Sequence, residues 1–205
     1  MECFKIGKFK ARGEAIRWCL HMNDVPFEDE RITFQEFSKR KMQGEFPYLA
    51  LPVLFVGDEA LAQSNAILRY SGKLTGMYPS DILEGGKVDE LLDATDDFAL
   101  VLRPSFVEKD AKKKEQMQKE MLENDVAKWM NLLEKRVATA GGEFSVGDRM
   151  SISDLKLTVF LNRLSSTYST LKPDLIQGFP LLNNIVHQVN NHSKIKEWKE
   201  KHNSK

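Results

Sequence analysis

LPVLFVGDEALAQSNAILRY, residues 51–70, contains a strand start, a hairpin turn and a helix start in one short stretch. Pro52 has no N–H to give to a β-ladder, so it belongs at the beginning of a strand. The apolar, β-branched run 52–56 reads as that strand, and Gly57-Asp58 turns it back. Leu61-Ala62 continues the hairpin. The spacing then changes to that of a helix over 64–74, with Ile67, Leu68 and Tyr70 among its apolar residues.

Upstream, the chain alternates in the same way. Residues 3–7 read as a short strand, and 14–22 as a helix with Ile16, Cys19 and Leu20 on one face. Residues 27–32 form a second strand, and 34–43 a short, polar, irregular helix. The order βαβαββα mixes parallel with antiparallel pairing and predicts an α/β sandwich over residues 1–78. Downstream, PSDILEGG, residues 79–86, combines a proline, two glycines and acids, and reads as a linker. Beyond it no strand is evident. Val88, Leu91, Leu92, Thr95, Phe98, Ala99 and Leu102 recur at helical spacing, as do Leu122, Val126, Trp129 and Leu133. Residues 154–165 are apolar almost all round, the pattern of a helix at the centre of a bundle. Ser151 and Asp154 make a capping box ahead of it, with Met150 and Leu155 placed to staple it. Leu181, Leu182, Ile185, Val186 and Val189 supply another amphipathic helix. Residues 87–205 therefore read as an all-helical domain.

Thirty basic and thirty acidic side chains give a formal net charge of zero, which argues against a polybasic nucleic-acid binder. The run Lys112-Lys113-Lys114 is diluted by Glu108, Asp110, Glu115 and Glu120, and reads as a solvated helix face. Two cysteines, Cys3 and Cys19, cannot build a dense disulfide framework, which suits a reducing compartment. No stretch reaches the roughly 18 apolar residues of a membrane span. The opening MECFKIGKFK lacks the apolar core and cleavage site of a signal peptide, so the expected location is the cytoplasm.

Ser64 is a good N-cap residue, and the exposed N–H groups of a helix start suit a small carboxylate; the plainer reading is that it only caps its helix. For Leu51-Pro52, an ordinary trans bond is the plain reading. A cis bond would free the backbone of Leu51 to pair with an extended ligand, as an added strand does. Arg12-Gly13-Glu14 precedes the first helix. Glu14 there decorates the helix start, and Arg17, one turn in, reads as a surface or domain-boundary partner. Lys39, Arg40 and Lys41 form a cluster of which one could reach a ligand carboxylate. Four scattered histidines, His21, His187, His192 and His202, show neither metal spacing nor a triad.

Together RGEAIR (12–17), LPVL (51–54), AQSNAILRY (62–70), the linker and GDRMSISDLKL (147–157) resemble the soluble glutathione transferase family, on its sigma, alpha, mu and pi side. The likeness runs over essentially the whole chain. It implies a thioredoxin-like domain followed by an all-helical one, usually as a homodimer, and a detoxifying transferase with glutathione as co-substrate and no metal. By the same resemblance, Gln63 and Ser64 bind the γ-glutamyl end of glutathione. Leu51, before a cis Pro52, pairs with the cysteinyl unit. Lys41, with Gln43 as the lesser option, reaches the glycyl carboxylate beside Phe37. Asp97, or its neighbour Asp96, completes the γ-glutamyl amine site from a second subunit.

One position departs from the pattern. The family's activating tyrosine ends the first strand, and the first fifteen residues here contain neither Tyr nor Ser. Counting back from Arg12 without a gap reaches Ile6; a two-residue slip reaches Lys8. A free thiol has a pKa of about 8.5, and lowering it by about 1.5 requires roughly 2 kcal/mol of thiolate stabilisation. Arg12, always charged, is the first candidate for this and Lys8 the second. The implied activity is conjugation of the glutathione thiolate to small hydrophobic electrophiles, or a related peroxidase or isomerase reaction. Phe9, Arg103, Phe106 and Phe160 are candidate walls for the electrophile, with core packing the plainer reading of Phe160. The alternative is a glutathione-binding carrier or structural protein with little turnover. A translation-factor-like interaction module would be expected to lose the Gln63-Ser64 pair, which is present.

Overall fold

The computed structural model describes residues 2–7 and 12–203. The chain divides into two compact units, Met1–Pro79 together with Asn191–Lys205, and Ser80–Asn190.

The first unit holds β1 (Glu2–Gly7), α1 (Glu14–Met22), β2 (Phe27–Ile32), α2 (Phe34–Met42), β3 (Val53–Val56), β4 (Glu59–Ala62) and α3 (Ser64–Thr75). The sheet runs β2-β1-β3-β4. β1 pairs parallel with β2, Glu2 opposite Phe27 through Gly7 opposite Ile32. β3 pairs antiparallel with both β1 and β4, with Val53 opposite both Lys5 and Ala62. Parallel neighbours need a crossover, which α1 supplies, whereas β3 and β4 need only the Gly57 turn, where φ is +60°. Ile16, Cys19 and Leu20 of α1 and Ile67 and Leu68 of α3 are all buried, and the two helices pack together. α2 is better formed than its polar sequence suggests. Thr33 and Glu36 close a capping box at its start, the S/T-x-x-E signal that marks helix beginnings.

The second unit is helical throughout: α4 (Ile82–Val107), α5 (Ala111–Met121), α6 (Ala127–Ala138), α7 (Ile152–Thr167) and α8 (Pro180–Asn191). A π-helical turn, Leu122–Val126, joins α5 to α6. Phe98 of α4 stacks on Trp129 at 5.6 Å and meets Phe160 edge-on at 4.9 Å. Residues 151–158 are buried without interruption. The Asp154 carboxylate accepts from the backbone N–H groups of Ser145 and Ser151, both at 2.7 Å, and closes the capping box read from sequence. Burial pushes its pKa up while those hydrogen bonds oppose the shift.

The linker expected over 79–86 is shorter in the structure. Asp81 accepts from the N–H of Glu84 at 2.9 Å and starts α4 at Ile82, so Gly85 and Gly86 are helical. The N-cap, worth about 1 kcal/mol, offsets part of the roughly 1 kcal/mol that each helical glycine costs, and burial of Val88, Leu91 and Leu92 in the same helix supplies the rest. The end of the chain also differs from a purely second-domain helix set. α9 (Ser193–Asn203) belongs to the first unit and packs on α1, with Ile195 and Trp198 buried.

Candidate functional site

Three segments of the first unit meet on one small apolar cluster of Ile32, Phe46 and Val53. Phe37 of α2, Leu51 at the entrance to β3 and Ala62 at the end of β4 all pack against it. Val53 is a strand residue and Ile32 ends β2, so the sheet itself sets their spacing. Phe37 stacks on Phe46 at 5.5 Å and an interplanar angle of 22°. That fixes the α2 face that carries Lys41, whose Nζ lies 5.7 Å from the centre of the Phe37 ring.

The other cations of that cluster differ. Arg40 is held at both ends, by Glu30 at 2.6 Å and by Glu45, and also sits 5.8 Å over the Phe46 ring. Its pKa is driven up by these carboxylates. Arg40 is thereby committed to the fold. Lys39 is exposed, as is Gln43, whose own N–H closes the end of α2.

The Leu51-Pro52 peptide bond is cis, not the ordinary trans form. After the hairpin, Gln63 caps α3 with φ +72° and ψ 118°. Holding a non-glycine residue in so sparsely populated a region costs about 1–3 kcal/mol. The strain is confined to the junction where β4 ends at Ala62 and α3 begins, next to the buried side chain of Ser64. The cap position is taken by Gln63, which makes no side-chain capping hydrogen bond, and Ser64 is the first residue of the helix rather than its cap. The N-terminal N–H groups and positive dipole end of a twelve-residue helix lie there.

Arg12 is exposed in the turn before α1. Ile6 lies within β1, and Lys8 and Phe9 fall outside the described residues. Arg17 is not at the surface. It is 1% exposed and ion-paired at 2.9 Å with both Glu14 and Asp29. Glu14, itself buried, also accepts from Trp18 Nε1 at 3.1 Å and from Trp198 Nε1 at 2.9 Å. The reading of Glu14 as decoration of the helix start and of Arg17 as a surface or domain-boundary partner therefore gives way to a buried network that ties α9 to the start of α1. A buried charge must be paired, and here it is paired several times over. Ile195 and Trp198, three apart and apolar, are the sequence signal for this helix.

Among the second unit's candidates, Asp96 is paired with Lys156 at 2.8 Å, whereas Asp97 is exposed. Arg103 is exposed. Phe106 is also exposed, 6.3 Å from the Tyr168 ring, and Phe160 packs in the core against Phe98. Cys19 is a buried thiol beside Thr75, its pKa pushed up to about 11 by burial, which leaves it unreactive.

Residues 5–72 match the family model "Glutathione S-transferase, N-terminal domain", and residues 96–202 match "Glutathione S-transferase, C-terminal domain". Glutathione S-transferase 1 of Ascaris suum is 34% identical over 97% of this chain and 96% of its own. A prostaglandin synthase D structure from Nilaparvata lugens superimposes with a TM-score of 0.88 at 30% identity, covering 98% of each chain. A glutathione S-transferase from Necator americanus, described as monomeric, gives 0.85 at 26%, over 98% of this chain and 97% of its own.

Proposed function

We infer that this chain, which belongs to the glutathione S-transferase family, holds glutathione at the entrance to β3 in its first unit and transfers it as the thiolate to small hydrophobic electrophiles. Membership makes it a glutathione transferase with glutathione as co-substrate; the site assignments and the electrophile class are the proposal. The observation that carries it is the packing of Phe37, Leu51 and Ala62 on one cluster, which supports reading the segments that carry Lys41, the cis proline and Gln63-Ser64 as parts of one site.

In this reading the γ-glutamyl carboxylate sits at Gln63 and Ser64, drawn by the α3 dipole. The cysteinyl unit pairs with the backbone of Leu51 beside Pro52, as an added strand would. The glycyl carboxylate goes to Lys41 beside Phe37. The thiolate is stabilised by a cation, Arg12 or Lys8, in place of a hydroxyl. In conjugation the sulfur forms a bond to an electrophilic carbon and the leaving group departs with its electron pair. Asp97 of a second copy completes the amine site in a homodimer, and Asp96 is disfavoured because Lys156 already occupies it. A cytoplasmic location is part of the same reading.

Calorimetry with glutathione, followed by thiolate absorbance of the bound peptide from pH 5 to 9, tests it. Micromolar-to-millimolar binding with thiolate present at neutral pH is expected. Binding without thiolate refutes the cationic activation, and failure to bind refutes the site. Ile6→Tyr gives a companion measurement: a many-fold rise in turnover with an aromatic electrophile would show that Ile6 occupies the activating position.

A further inference from the structure

Helix α2 has little apolar burial to hold it in place. It is nine residues long, and none of its residues is fully buried. A helix that short is marginal by itself, so its position depends on tertiary anchors. The segment after it, residues 43–52, forms no regular element, and Gly44 and Leu49 there take φ values of +75° and +53°. Yet α2 carries Phe37 and Lys41, the residues assigned above to the glycyl end of glutathione.

The guanidinium of Arg40 is gripped on two sides. Nη1 and Nη2 donate to the Glu30 carboxylate at 2.6 and 3.3 Å. Nε donates to one oxygen of Glu45 at 2.6 Å, and Nη2 donates to the other. Glu30 lies in β2 and Glu45 in the segment after α2, so one side chain bolts three parts of the first unit together. The Arg40 carbonyl also accepts from the backbone N–H of Glu45 at 3.3 Å. The same guanidinium lies over Phe46, the ring on which Phe37 stacks. Isolated surface ion pairs contribute little, but two bidentate grips in one network, on an arginine side chain only 19% exposed, are the exception. A lysine, a point charge, could not fill both grips. Lys41 follows at about 100° round the helix, so anchoring and ligand binding are divided between neighbours.

We propose that Arg40 is a positioning residue for glutathione: by clamping α2 to β2 and to the segment before β3, it holds Lys41 and Phe37 where they meet the glycyl carboxylate. This rests on the glycyl assignment made above. Glutathione and γ-glutamylcysteine, which lacks the glycyl unit, are titrated calorimetrically into the full chain and its variants, and kcat is measured at saturating glutathione with an aromatic electrophile. Arg40→Met should weaken glutathione about three- to fivefold, leaving γ-glutamylcysteine and kcat within about twofold. In the Lys41→Ala background the same substitution should add less than about twofold, because both act on one contact. Arg40→Lys should restore only part of the loss. Glu30→Gln and Glu45→Gln each release one grip and should weaken glutathione by about twofold, which keeps the test open if Arg40→Met does not fold. If the parent fails to bind glutathione, or binds both thiols equally, the glycyl assignment falls and the proposal with it. If the parent discriminates and Lys41→Ala abolishes the discrimination, that assignment stands. The positioning role is then overturned alone if the Arg40 and glutamate variants leave glutathione affinity unchanged, weaken both thiols alike, or keep their full effect without Lys41.

Discussion

Glu14→Ala should be among the most damaging single changes in the first unit. The Glu14 carboxylate accepts from Arg17 at 2.9 Å, Trp18 at 3.1 Å and Trp198 at 2.9 Å, all buried. Removing it leaves two buried indole N–H groups unsatisfied, at about 1–3 kcal/mol each. Arg17 keeps Asp29 at 2.9 Å, so the guanidinium is not orphaned, which limits its share of the loss. The sum is about 3–5 kcal/mol, in line with breaking a buried ion pair and a large part of a typical ~5–15 kcal/mol stability. Glu14→Gln keeps an acceptor oxygen and should cost about 1–3 kcal/mol. Trp198→Phe removes one donor and should cost about 1–2 kcal/mol, less than the carboxylate because Arg17 and Trp18 stay paired. Urea unfolding followed by tryptophan fluorescence measures all three, with the slope m compared as well as the midpoint. The double variant should couple by more than about 0.5 kcal/mol, since both substitutions act on one hydrogen bond. If Glu14→Ala stays within about 1 kcal/mol of the parent, the network is not what fastens α9 to α1, and the reasoning fails.

Ser64→Ala should weaken glutathione about tenfold, the loss of one hydrogen bond to a charged group, with little change in unfolding midpoint; calorimetry and urea titration check the two halves. Lys41→Ala should weaken glutathione by a few-fold, and the deficit should shrink as salt is raised, because an ion pair at an incompletely buried lysine is screened. The Cys19 thiol holds its proton up to about pH 11 in the folded chain. Its stabilising contribution is therefore complete below the unfolded value near 9 and is lost as pH rises toward 11. Relative to Cys19→Ala, the parent should lose about 2 kcal/mol between pH 8 and 10.5, measured as the difference in urea unfolding free energy. An unchanged difference would show that the thiol is not shielded.

Much of the fold is written in local signals. The turn at Gly57-Asp58, the period change at Ser64, the Ser151–Asp154 capping box and the apolar run 154–165 each act over a few residues, and each reappears in the structure. The sequence alone therefore determined the element order, the mixed sheet, the helical second half and the family. Where local signals competed, sequence reading fell short. Two glycines outvoted Asp81 in placing the linker, and the charge of Arg17 suggested a surface that its burial contradicts.

The tertiary structure alone decided what depends on residues far apart in the chain. Glu14 and Trp198 are 184 positions apart, and no periodicity links them. Lys39, Arg40 and Lys41 are equal as a sequence. Only packing shows that Glu30 and Glu45 take Arg40 while Lys41 is left over Phe37. The LPVLFVGDEALAQSNAILRY stretch specified its own strands and helix. The cis geometry at Pro52 and the left-handed Gln63 show only once that stretch is seated on Ile32 and Phe46. Helix and turn propensities are paid out within one or two turns of chain, but charge pairing and site geometry follow distance in space.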